Sequence, residues 1–156
     1  MAAGVPVRGY VSCVVECPYD GAVAPEKVAF VTEALLRAGC FEVSLGDTIG
    51  RGSPEQVSEM LARVLEVAEP GQLAGHFHDT SGRAVENVRV ALEHGLRVFD
   101  AAVGGLGGCP YAPGAAGNVA TETIAMALEE DGFAHGLDLA KLSEAATIAL
   151  SMKGAG

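Results

Sequence analysis

The sequence predicts an α/β fold with a parallel sheet, and three observations carry that expectation. Short apolar, β-branched runs recur at Arg8 to Val15, Phe41 to Thr48, Leu73 to His78 and Arg97 to Val103. Between them lie longer stretches whose apolar residues recur at helical spacing. Prolines and glycines mark the boundaries, with Pro25 and Pro54 at helix starts and Gly39 and Gly95 at helix ends.

Each element has a local reason. The first strand runs into the turn-rich segment Cys17-Pro18-Tyr19-Asp20-Gly21. Pro25 then opens a helix, with Glu26 near the positive end of its dipole and Val28, Val31, Ala34, Leu35 and Ala38 on one face. The second strand is followed by Ser53-Pro54-Glu55, an N-cap, a first-turn proline and an acidic first turn, and a helix to about Val67. Pro70-Gly71 breaks that helix before the third strand. A helix from about Arg83 to His94 precedes the fourth strand. A glycine-rich loop, a helix from about Val119 to Glu130 and a last helix from about Leu139 to Leu150 complete the chain. The order βαβαβαβα plus one helix fits either an open doubly wound sheet or half of a (β/α)8 barrel, which needs about 250 residues when whole. Periodicity alone does not choose between them.

Composition narrows the function. The chain has 156 residues, enough for one domain spanning 1–156, with 49% hydrophobic and 19% charged residues. A net charge of -10 argues against nucleic acid or an anionic membrane surface, since a phosphate backbone needs a basic patch. No apolar run reaches the roughly 18–20 residues of a membrane span. The segment Met1 to Pro6 has neither the charged nor the long apolar part expected of a signal peptide. Cys13, Cys17, Cys40 and Cys109 are scattered in a chain unlike a small disulfide scaffold, which favours a reduced, cytoplasmic setting.

The sharpest local pattern is His76-Phe77-His78-Asp79-Thr80 at the end of the third strand. Residues two apart on a strand share a face, so the two imidazoles project together as a ready pair of metal ligands. The plainer alternative is one hydrogen-bonded and one exposed histidine. Asp79 fits a supporting role or a cap of the next helix better than ligation. On the same rim, the run Gly104 to Asn118 carries Cys109 among many glycines. A thiol on a loop free to close suits an acid, base or nucleophile. A small buried hydrophobe is the commoner fate of a free cysteine. Asn118 could cap the following helix or offer a carbonyl oxygen to the same metal, one oxygen for two roles. Asp47 could orient a histidine, bind a substrate hydroxyl or cap a turn. Cys17 reads as structural, Cys13 and Cys40 as core or near-core residues, and His94 and His135 as helix-end residues.

Together, RGYVSCVVECP at Arg8 to Pro18, SLGDTIG at Ser44 to Gly50, HFHDT at His76 to Thr80 and VGGLGGCPY at Val103 to Tyr111, with Gly117-Asn118 following, resemble the 3-hydroxy-3-methylglutaryl-CoA lyase family. The resemblance runs from about residue 7 to about residue 150, and the cysteine loop is its most specific part. It implies half of a TIM barrel, strands five to eight plus a C-terminal helix. It also implies cleavage of 3-hydroxy-3-methylglutaryl-CoA to acetyl-CoA and acetoacetate, in leucine degradation and ketone-body formation. His76, His78 and Asn118 would hold Mg²⁺ or Mn²⁺, while Cys109, His76 and Asp47 would be catalytic. The family's anionic metal ligand and its neighbouring arginine, in an Asp-Gly-Leu motif on the first barrel strand, have no counterpart here. Glu16 replaces a glycine common in the family. The expected partners are therefore an acyl-CoA substrate and either a second copy or a companion N-terminal half. The alternatives are an inactive metal-binding remnant, or a related barrel enzyme for another acyl-CoA or 2-oxo acid.

Overall fold

A computed structural model describes residues 4–108 and 117–152. The elements are β1 (Arg8–Ser12), β2 (Glu16–Cys17), β3 (Gly21–Ala22), α1 (Pro25–Arg37), β4 (Glu42–Asp47), α2 (Pro54–Val64), β5 (Leu73–Phe77), α3 (Ala84–Glu93), β6 (Phe99–Asp100), α4 (Thr121–Glu130) and α5 (Leu139–Ser151). The main sheet is parallel throughout, in the order β1-β4-β5-β6. Spatial order equals chain order. A doubly wound sheet reverses its strand order at a switch point, whereas a barrel adds each strand beside the last. The topology therefore selects the barrel, and these four β/α units form part of one.

The strands bury one face under the helices. Val11, Val43, Leu45, Leu73 and Phe77 pack with Val28 of α1, Val57, Leu61 and Val64 of α2, and Val88 and Ala91 of α3 in one core. The cap expected for α2 is present, with the Ser53 side chain accepting from the Gln56 backbone and Gln56 returning a bond to Ser53 N–H. The Asp138 side chain caps α5 by accepting from Ala140 and Lys141.

Several boundaries differ from expectation, and α2 ends at Val64, short of the expected Val67. The first strand stops at Ser12 because Cys13 takes a positive φ of 59°, and the segment expected as loop contains the small antiparallel hairpin of β2 and β3. The fourth strand of the sheet pairs only through Phe99–Asp100. Beyond it, Ala102 N–H donates to Val119 and Ala102 accepts from Thr121 N–H, so its backbone is committed to the returning chain rather than to β5. The same exchange keeps 118–120 extended and delays α4 to Thr121, where the helical pattern had predicted a start near Val119.

Candidate functional site

At the C-terminal end of β5, His76 and His78 occupy alternate positions on the face opposite the helix-packed core, their ring centroids 5.3 Å apart and tilted by 47°. In each ring Nδ1 is buried and has no hydrogen-bond partner among the described residues. Burial, reinforced by the neighbouring His76, pushes the His78 imidazole below its ordinary pKa and favours the neutral, lone-pair form. The backbone here is well fixed. His78 N–H donates to Asp47 O at 3.4 Å, and Asp79 N–H donates to Gly117 O at 2.7 Å. The Asp79 carboxylate accepts from Ala84 N–H at 3.0 Å and so ties the rim to the start of α3.

Asn118 joins this pair through an antiparallel bridge to His78. It does not cap α4, whose N-cap position is Ala120. Its amide nitrogen donates to Leu106 O at 3.0 Å, which leaves the carbonyl oxygen as the ligand-capable end. Gly107 makes this possible, since a Cβ there would lie 2.6 Å from the Asn118 amide nitrogen. Glu122 of α4 accepts from Gly104 N–H with both carboxylate oxygens at 3.1 Å and anchors the start of the loop. Cys109, the expected catalytic thiol, lies outside the described residues.

Asp47 closes β4 with the parity of Val43 and Leu45, the face turned to the helices. It is fully buried, and its carboxylate accepts from Gly52 N–H at 2.8 Å and Arg51 N–H at 3.3 Å. Burial pushes its carboxyl up against the lowering effect of the Gly52, Arg51 and Gly50 amides, and the charge of Glu16 adds to the rise. Glu16 itself is paired with Arg51 at 3.0 Å. Of the three roles open to Asp47, these contacts match the turn cap. That turn also holds the rim, because an added Cβ at Gly50 would meet the His78 carbonyl oxygen at 2.7 Å.

A polar network on the inner face escaped the reading of motifs. Asp100 of β6 accepts from Arg8 Nη1 at 2.7 Å with one oxygen and from Ser44 Oγ at 2.7 Å with the other. The second oxygen also lies 3.5 Å from His76 Nδ1. Arg8 is further bonded to Glu42 and to the Tyr10 hydroxyl, and the Tyr10 ring stands edge-on to His76. Burial raises the Asp100 carboxyl, but the Ser44 and Arg8 bonds outweigh it and hold the group below its usual value. The signal was present in the sequence as polar residues at alternate strand positions: Arg8 with Tyr10, and Glu42 with Ser44.

Among the described residues no group of three His, Cys, Asp or Glu side chains is arranged to hold a metal ion by itself. The donor set is two imidazoles and an amide oxygen. Two imidazoles on one strand face, beside a carbonyl oxygen, suit a divalent cation that keeps open positions for other ligands.

Parallel β/α units with a histidine pair at a strand C-terminus define the class, a barrel protein with its candidate site on the rim. The family model described as HMGL-like matches residues 7–148, and the chain belongs to that family, which is generally dependent on a divalent metal. It is 55% identical over 145 residues to the hydroxymethylglutaryl-CoA lyase of Pseudomonas mevalonii, covering 91% of this chain and 47% of that protein. It is 52% identical over 141 residues to the cytoplasmic 3-hydroxy-3-methylglutaryl-CoA lyase of Rattus norvegicus, covering 90% and 41%. Other relatives carry a mitochondrial designation. The solved HMG-CoA lyase of Brucella melitensis superposes with a TM-score of 0.95 at 60% identity, over 97% of this chain and 53% of that one. An HMG-CoA lyase of Acenitobacter baumannii, in complex with coenzyme A and 3-methylmalate, gives 0.83 at 41% identity, over 89% and 46%. The chain spans about half the length of the curated relatives it matches.

Proposed function

We propose that this chain supplies the histidine and thiol side of a carbon–carbon lyase site that cleaves 3-hydroxy-3-methylglutaryl-CoA to acetyl-CoA and acetoacetate. The observation that carries the reading is the pairing of His76 and His78 on one strand face with Asn118 bridged beside them. These three residues would hold Mg²⁺ or Mn²⁺. When bound, the cation supplies Lewis-acid polarisation of the substrate oxygens. His76 takes part in removing the proton from the tertiary hydroxyl, the carbon–carbon bond breaks, and its electron pair passes to the acetyl-CoA carbon. Cys109 would serve as the catalytic thiol for that carbanion, which takes up a proton to give acetyl-CoA. Asp47 assists from the rim by holding the 50–52 turn against His78.

The acyl-CoA substrate is supported by the coenzyme A bound to a solved relative. The same reading assigns the reaction to leucine degradation and ketone-body formation, in the cytoplasm. In the described sheet β1 and β6 are edge strands, so a companion N-terminal half, or a second copy, would complete the barrel.

The test is acetoacetate release by the purified chain with Mn²⁺, alone and with the N-terminal half of the Brucella melitensis relative added. Release is expected only in the mixture, and His78→Ala is expected to abolish Mn²⁺ binding with the fold intact. A mixture that assembles, binds Mn²⁺ and releases nothing overturns the activity.

A further inference from the structure

The polar network on the inner face has a direction. Arg8 is held by Glu42 and Tyr10, and it grips one oxygen of Asp100, while Ser44 grips the other. Two neighbouring strands, β1 through Arg8 and Tyr10 and β4 through Glu42 and Ser44, thus fix this one carboxylate of β6. Its second oxygen faces a buried nitrogen, His76 Nδ1, which has no hydrogen-bond partner among the described residues. At 3.5 Å the contact is longer than a full hydrogen bond, and a small rotation of the ring closes it. Because Nδ1 is buried while the side chain as a whole keeps 28% exposure, the accessible edge of the ring lies away from Nδ1.

We propose that Asp100 is the positioning residue of His76, accepting from Nδ1–H and so fixing the tautomer whose Nε2 lone pair is offered at the rim. The inference rests on the reading of His76 as a metal-binding or proton-accepting side chain, and it specifies which nitrogen does that work. One lone pair serves a cation or a proton, and the lock serves either. A carboxylate suits the task because both its oxygens only accept, so the proton must reside on the histidine. An amide would invert this. In Asp100→Asn the single amide oxygen would be claimed by Arg8, a donor that never gives up its protons. The NH₂ would then face His76 and donate, making Nδ1 the acceptor and moving the proton to Nε2.

The decisive measurement is the His76 tautomer in the metal-free chain, read by long-range ¹H–¹⁵N correlation at a pH where the ring is neutral. The resonances are assigned by their loss in His76→Gln. The expected result is Nδ1–H in the wild-type chain and a shift toward Nε2–H in Asp100→Asn. Mn²⁺ affinity, measured by electron paramagnetic resonance, is expected to fall about 10–100-fold in Asp100→Asn, the usual cost of losing the partner of a ligating histidine. A wild-type ring in the Nε2–H form overturns the proposal even if the variant fails to fold. So does a tautomer unchanged in a folded Asp100→Asn, which would make Asp100 only a tie between β6 and β1. A wild-type chain with the Nδ1–H tautomer that binds no Mn²⁺ upholds the positioning role and removes the metal reading instead.

Discussion

On the helix side of the sheet, Val43, Leu45 and Leu73 are completely buried among apolar helix residues. One residue away along the same strands, Ser44, Ala74 and His76 face the other side, where Ser44, Arg8 and Asp100 form a hydrogen-bonded network beside His76. The same backbone thus serves two regimes. The helix side is held by area and volume, which are non-directional and tolerate exchange of similar shapes. The inner side is held by paired donors and acceptors, each of which fails if its partner is removed. The first face sets the fold and the second sets which atoms meet at the rim.

The largest loss of stability is expected on the helix side. Leu45→Ala deletes a fully buried side chain at the centre of the sheet, and an unfilled cavity of that kind costs about 3–5 kcal/mol. Urea denaturation should register a loss of that size. Where the cavity leaves the backbone of β5 in place, the His76 and His78 rings should keep their spacing.

A second substitution attacks the join between the two regimes. Gly50 has a φ of 62°, and a Cβ there would stand 2.7 Å from the His78 carbonyl oxygen and 2.9 Å from its carbon. Those are backbone atoms and cannot swing away. Gly50→Ala should therefore cost about 2–3 kcal/mol from strain and overpacking. Unlike Leu45→Ala, it should also weaken Mn²⁺ binding, because relief of the clash displaces the strand end that carries His78. Equal Mn²⁺ affinity in both variants would show that the rim does not depend on the 50–52 turn.

How much of this was legible in the sequence follows the same division. Apolar periodicity, Pro25, Pro54 and the Ser53 cap located the helices and strands because those signals act locally. The shortened last strand was not legible, since it results from Ala102 bonding to Val119 and Thr121 across a loop. His76, His78 and Asn118 were found by residue type and spacing, and the structure brings the three together. Asp100 was missed because Arg8, its partner, is 92 positions away and only the curvature of the sheet joins them. Asp47 was found as a rim residue, but the face its side chain takes depends on strand parity, which a motif does not display.

The mildest test compares the buried Asp47 and the half-buried Asp100 carboxylates, which sit on opposite sides of the sheet and are perturbed in opposite directions. Burial dominates at Asp47 and raises its carboxyl. At Asp100 the Ser44 and Arg8 bonds overcome burial and lower it. Linkage then fixes the signs. The folded pKa of Asp47 lies above its unfolded value, so the stability it contributes is full below the unfolded pKa and is lost as pH rises through the folded one. For Asp100 the folded pKa lies below the unfolded value, so its contribution is present above the unfolded pKa and disappears as pH falls through the folded one. The stability difference between wild type and Asp47→Asn should therefore shrink as pH rises out of the acid range, while that between wild type and Asp100→Asn should grow. Urea midpoints of the three proteins across that range measure both slopes. Slopes of the same sign would mean that the two faces treat a carboxylate alike, and that the paired, charge-holding character of the inner face is not what separates it from the core.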